Sequence, residues 1–69
     1  MPKKPLYQVI FQHFKEKILL GEIVPGEQLP TEMEMTKHFN VSRITVTRAL
    51  RELELSKYIH RSSSFFYLG

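Results

Sequence analysis

Only two residues, Asn40 and Val41, separate a short helical pattern ending at Phe39 from a longer one beginning at Ser42, and this corner constrains the fold more than any other feature. Asparagine tolerates the left-handed conformation that ends helices, so Asn40 is the expected stop of the first pattern. At its other end Thr31 lies three residues before Glu34, the spacing of a capping box that satisfies orphan amides. Met35 and Phe39 give that helix an apolar side at i and i+4, with Met33 off the line, and a length of about two turns. Two helices joined by so brief a turn form a helix-turn-helix.

The second helix is carried by "FNVSRITVTRALREL", residues 39 to 53. Ser42 sits where an N-cap belongs, and Val46, Ala49, Leu50 and Leu53 recur on one face, which is core. Away from that face or at its margin lie Ile44, Thr45, Thr47, Arg48 and Arg51, with Arg43 in the first turn. Such hydroxyl and guanidinium groups donate to phosphate oxygens, and arginine also reaches guanine edges in a major groove wide enough for a helix. The net charge of +3 is divided in the same sense: residues 5 to 36 balance at −3 and residues 37 to 61 at +4. A polyanion would meet the second half of the chain. A solvated surface that happens to segregate its charges is the other reading of this feature.

The remaining segments complete the architecture. Leu6, Val9, Ile10, Phe14, Lys17 and Ile18 form a stripe at helical spacing, with Pro5 in the first helical turn and an end before Gly21. "VPGEQLP", residues 24 to 30, contains the Pro-Gly pair of a tight turn. After Leu55 the helical period fails, and "SKYIHR" followed by "SSSFFYLG" reads as two short strands around a serine turn. A slip of one residue would exchange which of Phe65 and Phe66 faces inward. The expected fold is mainly α with a small β hairpin, a winged helix-turn-helix of three helices and a C-terminal two-stranded wing, with residues 1–69 as one domain.

Several functions find no support. A chain of this size buries only roughly 60% of its unfolded surface and supports a single core. Without cysteine there is neither a disulfide framework nor a thiolate metal site, which fits a reducing, cytoplasmic setting. No apolar run approaches the roughly 20 residues of a membrane span, and "MPKKPLYQ" lacks the features of a signal peptide. His13, His38 and His60 fall on three elements without ligand-like spacing, and the chain has no aspartate, so neither a metal nor another cofactor is expected. Glu32 and Glu34 read as first-turn charges favourable to the helix dipole, not as a catalytic pair. No nucleophile is matched with a base, so the chain is not expected to be an enzyme. Phe65, Phe66 and Tyr67 read as packing residues before base-stacking ones.

In combination, "PLYQVI", "GEIVPGEQLPTE" and "VSRITVTRALREL" resemble the N-terminal DNA-binding domain of the GntR family of bacterial transcription regulators, with features of its HutC-like branch. The likeness runs from about Pro5 to Arg61. It implies a homodimeric repressor or activator whose third helix, about residues 43–55, enters the major groove of a palindromic operator while the wing approaches the minor groove. Arg43 of "VSR" would read a base or clamp a phosphate, Ser42 would cap the helix beside the backbone, and Thr45 would touch nearby phosphate and base edges. Thr47 stands where the family usually has the arginine of "TVR", and this chain places its arginine next, at Arg48. Met33 replaces a frequently basic position, so one phosphate or base contact is either missing or supplied by Lys37. The wing offers Ser64, Phe66 and Tyr67 where the family shows a "GxGTF" pattern, leaving Ser62, Ser63 and Ser64 either to donate to phosphates or to form a solvated turn. Thr31, Lys37, Ser42, Arg43, Ile44, Thr45, Thr47, Arg48, Ser62 and Ser63 are therefore the expected DNA-binding residues. Family members usually carry a C-terminal effector-binding and dimerisation domain, so these residues are expected to be the DNA-binding half, either short by nature or cut from a longer protein. The alternative function is a protein-interaction winged helix, an antirepressor or assembly factor, using the aromatic hairpin as its partner surface.

Overall fold

The computed structural model describes residues 4–63 and 65–69. Three helices, α1 (Leu6–Leu19), α2 (Glu32–Phe39) and α3 (Arg43–Leu55), are followed by the strands β1 (Ile59–Ser62) and β2 (Phe65–Leu68). The predicted caps are present. Thr31 Oγ1 accepts from the Glu34 amide at 3.2 Å while the Glu34 carboxylate accepts from the Thr31 amide, a complete capping box. Asn40 is left-handed at φ 54°, and Ser42 Oγ accepts from the Thr45 amide at 3.3 Å. These local bonds fix where α2 stops and α3 starts, and hence the angle at which α3 is presented.

The core lies where α1 crosses α3, with α2 and the hairpin closing its sides. Val46, Ala49, Leu50 and Leu53 of α3 are all buried, packed with Ile10 and Phe14 of α1 and Met35 of α2. Ile23, Leu29, Ile59, Phe66 and Leu68 complete it.

Helix α1 departs from its expected stripe. Leu6 and Val9 are exposed, at 58% and 47%, whereas Tyr7, Phe11 and Ile18 pack against the core beside Ile10 and Phe14. Residues 7, 10, 11, 14 and 18 share a helical face as regularly as the predicted set does, and choosing it covers two aromatic rings. Phe11 meets Tyr58 edge to face with ring centroids 6.1 Å apart. Pro5 is also displaced by one position. It is the N-cap at φ −56° and ψ 147°, outside the first turn, and its carbonyl accepts from the Gln8 amide at 3.0 Å.

In the hairpin the register settles the choice between the phenylalanines: Ser62 pairs with Phe65 and Arg61 with Phe66, so Phe66 is buried and Phe65 is 39% exposed. The turn begins at Ser63, with φ 58°. Ser64, expected at the wing tip, lies outside the described residues. The loop before α2 adds an interaction that alternation alone does not reveal. Val24–Glu27 closes a turn with Gly26 at φ 87°, and the chain then runs along β2. The Gly26 amide donates to Leu68, Leu68 donates to Glu27 and Leu29 donates to Phe66, at 2.7 to 3.0 Å. Strand β2 is thus bonded on both edges, which anchors the wing to the helix-turn-helix. Among the described residues no helix is long and apolar enough to cross a membrane.

Candidate nucleic-acid interface

Burying one face of α3 leaves the opposite face in solvent. Arg43, Ile44, Thr47, Arg48, Arg51 and Leu55 line one open hollow along it. Ile44 is 81% exposed and the Arg43 side chain 80%, so both project well clear of the body. An isoleucine so placed has no packing role within the domain, and its methyl groups suit contact with a thymine methyl. At the start of the helix Ser42 Oγ and Thr45 Oγ1 lie 3.0 Å apart, with Thr45 half-buried.

Two contacts tie this face to neighbouring elements. Thr47 Oγ1 donates to Glu32 Oε2 of α2 at 2.9 Å, and Arg43 Nη2 lies 3.9 Å from Glu32 Oε1, a loose ion pair. On the opposite flank the Arg48 guanidinium lies over the Tyr7 ring of α1, 4.2 Å from its centroid. Arg48 is therefore not a neighbouring copy of position 47. Thr47 faces α2 and the wing, whereas Arg48 faces α1.

The wing adds a further cation. Arg61 lies over the Phe66 ring at 4.7 Å and shares a depression with Thr47 and Arg51 of α3, where the two guanidinium groups stand beside the carboxylates of Glu32 and Glu54. Ser62 and Ser63 are exposed at its tip. A second depression, between α2 and the wing, brings Thr31, Met33 and Phe65 to Arg43. Thr31 is nevertheless engaged: its hydroxyl donates to Glu34 Oε1 at 3.1 Å while accepting from the Glu34 amide, so donating to a phosphate would break the capping box. Lys37 is exposed but lines a different hollow, together with His13, His38 and Phe39.

Sequence reasoning missed Glu32 as a partner of α3, Tyr7 as a support for Arg48, and Arg61 beyond its charge. The Glu32 and Tyr7 contacts join residues far apart in the chain, and that of Arg61 with Phe66 depends on the hairpin register, so no local pattern signals them. The histidines fall on three elements as expected, α1, α2 and β1, yet two of them meet across the fold. His13 of α1 and His38 of α2 come together, with ring centroids 6.1 Å apart, and both meet Phe39 edge to face. Burial holds the His13 pKa below 6.5, helped by Lys17 and His38. Among the described residues no group of three or more histidines and carboxylates is placed to hold a metal ion.

Residues 6–64 match the family described as bacterial regulatory proteins, gntR family. The chain belongs to the GntR family. The Mannosyl-D-glycerate transport/metabolism system repressor MngR of Escherichia coli is 49% identical over 53 residues, which are 77% of this chain and 22% of that protein. The Histidine utilization repressor of Klebsiella aerogenes is 43% identical over 49 residues, 71% of this chain and 20% of that protein. The DNA-binding domain of AraR, solved in complex with an operator, superposes with a TM-score of 0.92 at 25% identity, covering 97% of this chain and 83% of that one. The chain thus spans about a fifth of the length of these curated relatives. Within the GntR family it is the winged helix-turn-helix DNA-binding domain, a regulatory and not an enzymatic module.

Proposed function

We propose that this GntR domain reads duplex DNA in a sequence-specific way for a cytoplasmic transcription regulator, with α3 in the major groove and the wing against the neighbouring backbone. The observation that carries the reading is the outer face of α3, where Arg43, Ile44, Thr47, Arg48 and Arg51 stand in solvent behind a fully buried core face. Arg43 and Ile44 are the base-edge candidates, and Arg48, Ser42 and Thr45 the backbone candidates. Ser62 and Ser63 serve the wing, with Arg61 beside them, and Lys37 lies at the edge of the footprint. Thr31 acts through the α2 cap. One copy covers one half-site, so the functional species is a homodimer on a palindromic operator, its half-sites one helical turn or a multiple apart.

A protein-docking role would need a continuous aromatic surface on the hairpin. Phe66 is buried and Tyr67 half-buried, which leaves Phe65 alone among the β2 aromatics in the open and supports the DNA reading. The test is selection from a random duplex pool with this chain, followed by mapping of the enriched sequence. Enrichment of a half-site motif that Arg43→Ala abolishes is the expected result. A pool that stays random while the protein is folded overturns the reading.

A further inference from the structure

We propose that Glu32 is a positioning residue for sequence reading, which fixes the hydroxyl of Thr47 as a hydrogen-bond acceptor toward the major groove; this rests on the α3-in-groove reading above. Among the described residues Glu32 is the acidic side chain held against the groove-facing start of α3, where a negative charge opposes the approach of a polyanion. Its place in the first turn of α2 favours a carboxylate through the helix dipole, yet the cap itself is made by Thr31 and Glu34. Glu32 instead crosses to α3, where its two oxygens meet Thr47 and Arg43 at 2.9 and 3.9 Å. At 27% exposure its side chain is the sheltered member of the pair with Arg43.

The chemistry follows from the inventory of the two groups. A carboxylate only accepts, and a threonine hydroxyl has one proton. With that proton given to Glu32, Thr47 turns only lone pairs and its methyl group to the groove. It then suits the exocyclic amino group of adenine or cytosine, a donor in the major groove, and does not suit the acceptor atoms of guanine. The same carboxylate keeps Arg43, loosely bound and 80% exposed, on the groove side of α3. An arginine at position 47 could not present an acceptor at all, so the threonine gives this site a preference that a guanidinium lacks.

The test compares wild type, Glu32→Met, Glu32→Gln and Thr47→Val by selection from a random duplex pool, with circular dichroism on each protein. Methionine keeps the length and helix propensity of Glu32 without an oxygen, and glutamine keeps a carbonyl acceptor. Thr47→Val should lose about five- to tenfold preference at one base pair. Glu32→Met should lose it at the same base pair, while Glu32→Gln retains it. Adding Glu32→Met to Thr47→Val should change nothing more at that position. Retention of every base preference in Glu32→Met, or loss at a different base pair from Thr47→Val, overturns the proposal. Should Glu32→Met not fold, Glu32→Ala takes its place under the same criteria. A wild-type pool that stays random instead overturns the DNA reading itself.

Discussion

The guanidinium of Arg48 lies over the ring of Tyr7, 4.2 Å from its centroid, so a residue on the solvent side of α3 is steadied by α1. The contact restrains a long, flexible cation on one flank of α3, which would lower the ordering cost of binding under the proposed role of Arg48 at the DNA backbone.

Replacing Tyr7 by Phe keeps a ring face for Arg48, whereas Leu removes it. Tyr7→Leu is expected to cost about 0.5–1 kcal/mol of stability through the lost cation contact, beyond any packing loss, and Tyr7→Phe much less of that share. A double-mutant cycle with Arg48→Ala in urea unfolding isolates it. If Arg48 contacts a phosphate, Arg48→Ala also lowers the salt slope of DNA binding by about one.

Leu53 is fully buried at the α1–α3 crossing. Leu53→Ala should destabilise the domain by about 2–5 kcal/mol, a large share of the roughly 5–15 kcal/mol of a typical domain. Denaturant unfolding measures this, and a loss under about 1 kcal/mol would contradict the placement of the core.

His13 predicts a pH dependence. Its imidazole is partly desolvated and faces Lys17 and His38, against the weaker influence of Glu16 and Glu22, so the folded pKa lies below 6.5. The unfolded chain therefore binds the proton first as pH falls. Stability from this group is fully present above 6.5 and is lost as pH drops from there through the lower, folded value. Melting temperature should fall between about pH 7.5 and about pH 5, and by less in His13→Gln. Equal falls in both proteins would remove His13 as the cause.

What could be read in advance was local. The Thr31–Glu34 box, the Asn40 stop, the Ser42 cap and the four buried residues of α3 each depend on spacings within about one or two turns. The face of α1 was not legible, because Leu6 and Val9 and the alternative pair Tyr7 and Phe11 make equally periodic stripes, and only the shape of α3 and Tyr58 selects between them. Likewise, which of Phe65 and Phe66 turns inward depends on pairing with β1 and with the Glu27–Leu29 segment. In the candidate site the exposed side chains of α3 were legible from the buried face opposite them. Their partners Glu32 and Tyr7 were not, since those contacts exist only once α1, α2 and α3 have packed.

The central claim, that the outer face of α3 meets DNA, is tested most directly by fluorescence anisotropy of this chain with a labelled duplex carrying the enriched half-site motif, over a range of salt concentrations, beside Arg43→Ala. Affinity should fall linearly in log salt, as counterion release requires. Loss of about 1–3 kcal/mol in Arg43→Ala on that duplex, with little change on random DNA, would mark a base contact. Binding that is absent at low salt, or indifferent to Arg43, in a protein shown to be folded would contradict the account.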